Sequence, residues 1–86
     1  MMEFDWDPAK SDLVKSARGF GLGTAARIFL GRVVTWQDTR WDYGEVRMTA
    51  VGQYDGRFYT VVYTDRGDVR WIITAWLSNR KERVKW

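Results

Sequence analysis

The sequence contains no cysteine and no histidine, and only one of its 86 residues is proline. Without cysteine it has neither a disulfide nor a thiol nucleophile. Without histidine it has no imidazole for proton transfer and lacks the usual ligands of a zinc site. Any catalysis must therefore use carboxylates, amines, guanidiniums or hydroxyls, and we expect no metal ion and no other cofactor.

Long apolar runs are also missing, because the uncharged stretches fall well short of the ~20 residues that a membrane span needs. The first residues, Met1 to Asp5, are acidic where a secretory signal would be basic. These features predict a cytoplasmic protein without a membrane partner. A chain of 86 residues with 45% hydrophobic content also predicts a single domain over residues 1–86, since so small a core cannot be divided.

The charge is unevenly placed along the chain. There are 14 basic and 11 acidic residues, and most of the basic ones are arginine, whose planar guanidinium suits phosphate groups. Residues 70–86 contain five basic side chains and one acidic side chain, Glu82. This excess is consistent with a basic terminal helix on an ordinary soluble domain, or with a surface for an anionic partner such as nucleic acid.

Helix signals lie near both ends of the chain. Asp7 followed by Pro8 is typical of a helix start, and it predicts a helix over 10–17 and a shorter one over 23–30. Asn79 and Glu82 have the spacing of a capping box, which predicts a C-terminal helix.

The second half has the composition of strands. Alternating residues and the hairpin signals Asp55-Gly56 and Arg66-Gly67 predict a meander, and residues 4–6 predict an edge strand. The predicted strands cover 4–6, 33–36, 45–52, 57–64 and 69–75, with a loop over 37–43. The order β-α-α-β-β-β-β-α predicts an α+β fold with an antiparallel sheet of four to five strands.

Strict alternation along the last strand places Trp71 and Ala75 on one face and Arg70, Ile72 and Trp76 on the other. Both faces are then largely apolar, which is typical of a central strand, and Trp71 is predicted to belong to the core. An arginine on such a strand needs an anionic partner or a cleft.

Glu45 and Arg47 are two residues apart and so share one face of their strand. If that face meets Arg70, the three form a charged cluster, which is either a structural ion-pair network or a catalytic site. RNA cleavage through the ribose 2′-hydroxyl needs a base, cations for the charge on phosphorus, and an acid. The candidates are Glu45 as base, the cations Arg47, Arg70 and Arg80, and Tyr63 or Lys10 as acid.

The chain is rich in aromatic side chains, with six tryptophans and four tyrosines. Proteins commonly hold unpaired bases by stacking on such rings and hold phosphates with nearby cations. The candidate RNA contacts are Trp6, Lys10, Arg57, Trp76 and Arg83.

These residues resemble a known family. Its opening F-x-W-D-x-x-K and central G-E-x-R are present, and its closing R-x-I-I-S-A-R is matched in part by Arg70, Ile72, Ile73 and Ala75. The first two motifs are Phe4, Trp6, Asp7 and Lys10, then Gly44, Glu45 and Arg47. The chain is thus similar to the BrnT toxins of bacterial BrnT–BrnA toxin–antitoxin pairs, small ribonucleases with a RelE-like fold.

The resemblance implies a RelE-like fold and inhibition of translation by RNA cleavage. It also implies a cognate BrnA-like antitoxin that neutralises the toxin in a hetero-oligomer. Trp76 stands where the family has arginine, so either Arg80 substitutes for that cation or the nuclease is weakened and acts by binding antitoxin or RNA. A third alternative is a general nucleic-acid-binding domain without a toxin role.

Overall fold

The computed structural model describes residues 2–86, and Met1 lies outside the described residues. Five strands are present: β1 (Glu3–Trp6), β2 (Val33–Asp38), β3 (Arg47–Tyr54), β4 (Arg57–Arg66) and β5 (Val69–Leu77). The helices are α1 (Pro8–Arg18), α2 (Leu22–Ala25), a 3₁₀ helix (Ala26–Leu30) and α3 (Arg80–Lys85). The predicted α+β class and element order are confirmed.

The strands form one mixed sheet in the order β1-β5-β4-β3-β2. The three pairings among β2, β3, β4 and β5 are antiparallel, as predicted, whereas the edge strand β1 runs parallel to β5. β2 is longer than predicted, because Gln37 and Asp38 pair with Met48 and Arg47 instead of entering the loop.

Local signals place the helix ends as the sequence predicts. The Asp7 carboxylate accepts a hydrogen bond of 3.0 Å from the Ala9 N–H, which caps α1. Asn79 and Glu82 form the reciprocal capping box at the start of α3, with both hydrogen bonds at 2.8 Å. The Asp55-Gly56 turn has positive φ at both residues, as a two-residue hairpin turn requires.

One face of the sheet, the core face, packs against α1, α2 and the 3₁₀ helix. Its strand residues include Ala50, Val61 and Ile72, which are buried together with the helical residues Leu22 and Ile28. Gly52 permits the close approach of the 3₁₀ helix, because a Cβ there would lie 2.8 Å from the Cβ of Ile28.

A β-bulge in β5 determines which of its side chains reach the core. Val62 of β4 pairs with Thr74 and Tyr63 pairs with Ile72, so that Ile73 has no partner in the ladder. The extra residue shifts the alternation of side chains by one position along β5.

The bulge therefore corrects the prediction from strict alternation. Ile72 and Ala75 are 1% and 0% exposed and both belong to the core, although alternation assigns them to opposite faces. Trp71 and Trp76 consequently share the other face of the sheet, so the prediction that Trp71 belongs to the core is wrong. When Ile73 is left out of the alternation as the bulge residue, Ile72 and Ala75 fall on one face and Trp71 and Trp76 on the other.

The second face, which we name the α3 face, has a floor of small buried side chains with α3 lying across part of it. The floor comprises Thr49, Val51, Thr60, Val62 and Thr64. The Trp76 indole N–H donates to the Glu82 carboxylate at 3.1 and 3.2 Å, and the Lys85 ammonium lies 4.0 Å from the centre of the Trp36 ring. These contacts hold a six-residue helix that has no buried residue of its own.

Candidate functional site

One end of the sheet gathers most of the charged side chains that the strands carry. The ends of β2 and β4 meet the beginnings of β3 and β5 there, with Asp38 opposite Arg47 and Asp65 opposite Arg70. Because neighbouring residues on a strand project to opposite faces, these side chains divide into two groups separated by the sheet.

The first group lies on the α3 face and contains Glu45, Arg66 and Trp71. Arg66 donates to the Glu45 carboxylate at 3.2 to 3.4 Å, and its guanidinium lies 5.3 Å from the centre of the Trp71 ring. The side chains of Arg66 and Glu45 are 53% and 33% exposed. Such a long, solvent-exposed pair is weak, so both groups are available to a ligand.

Arg47 begins β3 two residues after Glu45 and has spare hydrogen-bonding capacity. Its guanidinium stacks on the Tyr43 ring at 4.0 Å, and its Nε is buried without a hydrogen-bond partner. A buried donor without a partner costs free energy. The adjoining loop, residues 37–46, lines an open pocket of about 560 Å³.

Asp38 anchors that loop. Its buried carboxylate accepts from the Arg40 guanidinium at 2.9 and 3.0 Å and from the Tyr43 hydroxyl at 3.1 Å. The hydrogen bonds from Arg40 lower the pKa of Asp38 from 3.8 to about 2, against the opposing effect of burial. By fixing Tyr43, Asp38 also fixes the ring on which Arg47 stacks.

We expect Asp38 to make the protein acid-sensitive over a defined range. A carboxyl group whose pKa is lowered on folding stabilises the protein above its unfolded pKa, and this stabilisation is lost as the pH falls from about 4 towards 2. The Asp38→Asn variant should therefore be less stable than wild type at pH 6, and the difference should shrink below pH 4. Urea unfolding at several pH values measures this. Asp42→Asn, in the same loop but exposed, is the control, and an equal effect there would contradict the assignment.

The second group lies on the core face around Arg70. Arg70 forms a two-point ion pair with Asp65 at 2.8 and 3.0 Å, and its guanidinium stacks over the rings of Tyr63 at 4.4 Å and Phe29 at 4.8 Å. The Arg70 side chain is only 21% exposed. The hydrogen bonds that Arg70 donates to the Asp65 carboxylate raise the pKa of Arg70. Burial raises the pKa of Tyr63, and the nearby charge of Arg70 opposes that rise.

The structure does not bring Glu45, Arg47 and Arg70 into one cluster, and that part of the sequence interpretation is wrong. Glu45 pairs with Arg66, whereas Arg70 pairs with Asp65. Asp65 and Arg66 are adjacent on β4, so their side chains leave opposite faces of the sheet. The Glu45–Arg66 and Asp65–Arg70 ion pairs therefore lie on opposite faces of the sheet.

Three other candidates from the sequence have packing contacts. Tyr63 is 3% exposed and belongs to the core. The Trp6 ring packs so closely on α2 that a Cβ at Gly23 would lie 2.9 Å from it. Trp76 is half-buried beneath α3, where its indole is bonded to Glu82. Each ring therefore has a structural contact in the folded chain.

The remaining candidate cations are exposed and dispersed. Lys10 is on α1, Arg57 begins β4 at the opposite end of the sheet from Arg70, and Arg80 and Arg83 are on α3. Among residues 2–86, the ion pairs involve none of these four side chains. Arg80 lies on the α3 face and Arg70 on the core face, so Arg80 does not join Arg70.

Sequence reasoning missed Asp38, Tyr43, Asp65 and Arg66. Arg66 had a signal: it stands directly before Gly67 in a hairpin motif, so it must lie where β4 meets β5. Tyr43 and Asp38 gave no such signal, since their contacts depend on the path of the loop.

Residues 2–86 contain no group of three or more acidic side chains placed to hold a metal ion. In the same residues, no helix has the length and apolar character needed to cross a membrane.

Comparison with known proteins identifies the family. No curated protein matches the chain. The sequence model described as "Ribonuclease toxin, BrnT, of type II toxin-antitoxin system" matches residues 6–82, which include every strand from β2 to β5 and the start of α3. Since this match covers most of the 86 residues, the chain belongs to the BrnT family of ribonuclease toxins.

Proposed function

We propose that the protein is an endoribonuclease that cleaves RNA on its α3 face without a metal ion. The observation that carries this proposal is the row formed by Glu45, Arg66 and Trp71, with Arg47 two residues along the chain from Glu45. A solvent-accessible carboxylate bonded to a guanidinium supplies a proton acceptor and positive charge within one small area. Cleavage through the ribose 2′-hydroxyl needs both.

The reaction assigned to this row is an internal transesterification. Glu45 accepts the proton of the 2′-hydroxyl, and the 2′-oxygen bonds to the adjacent phosphorus. The bond from phosphorus to the 5′-oxygen breaks, and that oxygen takes a proton from solvent, which reaches this open face. The products are a 2′,3′-cyclic phosphate and a 5′-hydroxyl. Arg66 and Arg47 stabilise the charge that develops on the phosphate oxygens.

The core face is a poorer place for this chemistry. Arg70 is already neutralised by two short hydrogen bonds from its guanidinium to Asp65 and is enclosed by two rings. Tyr63 beneath it is almost completely buried. A phosphate would have to break a tight ion pair before it could bind Arg70, whereas Arg66 is half exposed.

In the cell, the proposed consequence is inhibition of translation by cleavage of RNA in the cytoplasm. A BrnA-like antitoxin is the proposed partner, and it would neutralise the toxin in a hetero-oligomer. Family membership supports a protein antitoxin in general terms. The choice of a BrnA-like protein follows from the motif resemblance.

The direct test is cleavage of a defined single-stranded RNA by the purified chain in the presence of EDTA. We expect EDTA-resistant cleavage with 2′,3′-cyclic phosphate and 5′-hydroxyl ends, detected by mass spectrometry, and growth arrest when the chain is expressed. Full loss of cleavage in EDTA that magnesium restores would contradict a metal-independent reaction. Products with 3′-hydroxyl ends would exclude attack by the 2′-oxygen.

A second candidate function is a binding module that has lost the chemistry, and Trp76 is the observation that favours it. An arginine at this position would lie beside Glu82, the group that now accepts from the indole. RNA binding by the folded wild-type chain with no cleavage of any RNA tested would support this alternative.

A further inference from the structure

Trp71 lies on the α3 face, outside the hydrophobic core cluster of the opposite face. It is half-buried and pairs with Thr64 across the β4–β5 ladder. The neighbouring floor consists of small threonine and valine side chains, so the indole is a large planar ring on a face of small side chains.

The Trp71 ring is covered by a cation that has a second function nearby. The Arg66 guanidinium lies 5.3 Å from the ring centre and also donates to Glu45 at 3.2 Å. An exposed cation over a ring is held weakly and is readily exchanged. The half-exposed Arg66 side chain therefore contacts both Trp71 and Glu45, the proposed general base.

We infer that Trp71 is the platform on which a base flanking the cleaved phosphate stacks, so that the substrate is RNA that is unpaired at this position. The inference rests on the proposed function. When a phosphate binds Arg66, the guanidinium moves off the ring towards it, and a planar base takes its place. A base held in a duplex cannot reach the ring, because its faces are already stacked on its neighbours.

Binding is tested first, because it does not depend on catalysis. Fluorescence anisotropy compares wild type with Trp71→Leu and Trp71→Phe, using a 2′-O-methyl RNA oligomer that lacks the nucleophile. We expect Trp71→Leu to weaken binding about tenfold and Trp71→Phe to keep most of it, because a phenyl ring still stacks. Phe4→Leu is the control, since Phe4 is an exposed aromatic residue that stacks on Phe29 at the helix-covered side.

Cleavage then tests the position of the base. Substrates carry a single dihydrouridine, whose saturated ring is not planar, on either side of the cleaved bond. Wild type should cleave one of these substrates about tenfold more slowly than the uridine parent and should cleave a duplex more slowly still. The Trp71→Leu variant should cleave that dihydrouridine substrate and the uridine parent at equal rates. A general loss of stability would lower both rates together and leave their ratio unchanged.

The outcomes separate the two proposals. If wild type cleaves RNA and Trp71→Leu still discriminates against dihydrouridine as wild type does, the platform is elsewhere and the inference is wrong. Equal binding by Trp71→Leu and wild type would overturn it as well. If binding depends on Trp71 but wild type cleaves nothing, Trp71 still stacks a base, and the proposed catalysis is wrong.

Discussion

Replacement of Glu45 by glutamine should lower the rate of RNA cleavage by about 10²–10⁴-fold, the usual contribution of a general base. Glutamine keeps the size of the side chain and can still accept from Arg66, but it cannot take a proton from the 2′-hydroxyl. Arg66→Ala should lower the rate by about 10²–10³-fold, because it removes a cation that faces the phosphate. Single-turnover cleavage of a labelled RNA measures both effects, and circular dichroism checks the fold.

The matched control is Arg70→Met on the opposite face of the sheet. The change removes an ion pair with Asp65 and two ring contacts, so we expect a loss of about 1–2 kcal/mol in the free energy of unfolding. Cleavage should stay within about threefold of wild type, since no group on the α3 face is altered. If Arg70→Met remains folded and loses as much activity as Glu45→Gln, the site lies on the core face and our assignment is wrong.

Exchange of Ala75 and Trp76, in the double variant Ala75→Trp/Trp76→Ala, should abolish cooperative folding. Because Ile73 is the extra residue of the bulge, Ala75 faces the core and Trp76 lies on the α3 face. The exchange places an indole on the core face and removes the indole that bonds to Glu82. A site filled by alanine at 0% exposure cannot accept an indole.

The cost of this exchange is large compared with the stability of the whole chain. We expect it to exceed about 4 kcal/mol, whereas a domain of this length unfolds with about 4–13 kcal/mol. Urea unfolding followed by circular dichroism measures the loss. Ile73→Val keeps the bulge and should cost about 1 kcal/mol. A cooperative transition in the exchange variant within about 2 kcal/mol of wild type would show that Ala75 does not face the core.

Local sequence signals were sufficient to predict the elements of the fold. The Asp7-Pro8 start, the Asp55-Gly56 turn and the Asn79 capping box each act within a few residues, and each is found where it was predicted. The parallel pairing of β1 was not predictable from such signals, because it joins residues far apart in the chain.

The candidate site was harder to predict for a related reason. Glu45 and Arg47 were recognised as a pair two residues apart, but Glu45 precedes β3, and its partner is fixed by the path of the loop and not by alternation. The partner of Arg70 is set by the register of β4 against β5, which places Asp65 opposite it. A shift of one residue in that register would exchange the faces, and no local pattern encodes it.

The parallel edge of the sheet affects the order in which the chain can fold during its synthesis. β1 is made long before β5, yet Glu3 pairs with Val69 and Trp6 with Ile72. Until β5 emerges from the ribosome, β1 has no neighbour, and α1 and α2 lack an inner strand on which they pack. Because such distant pairings close late and slowly, we expect the nascent chain to stay unstructured until β5 has left the ribosome.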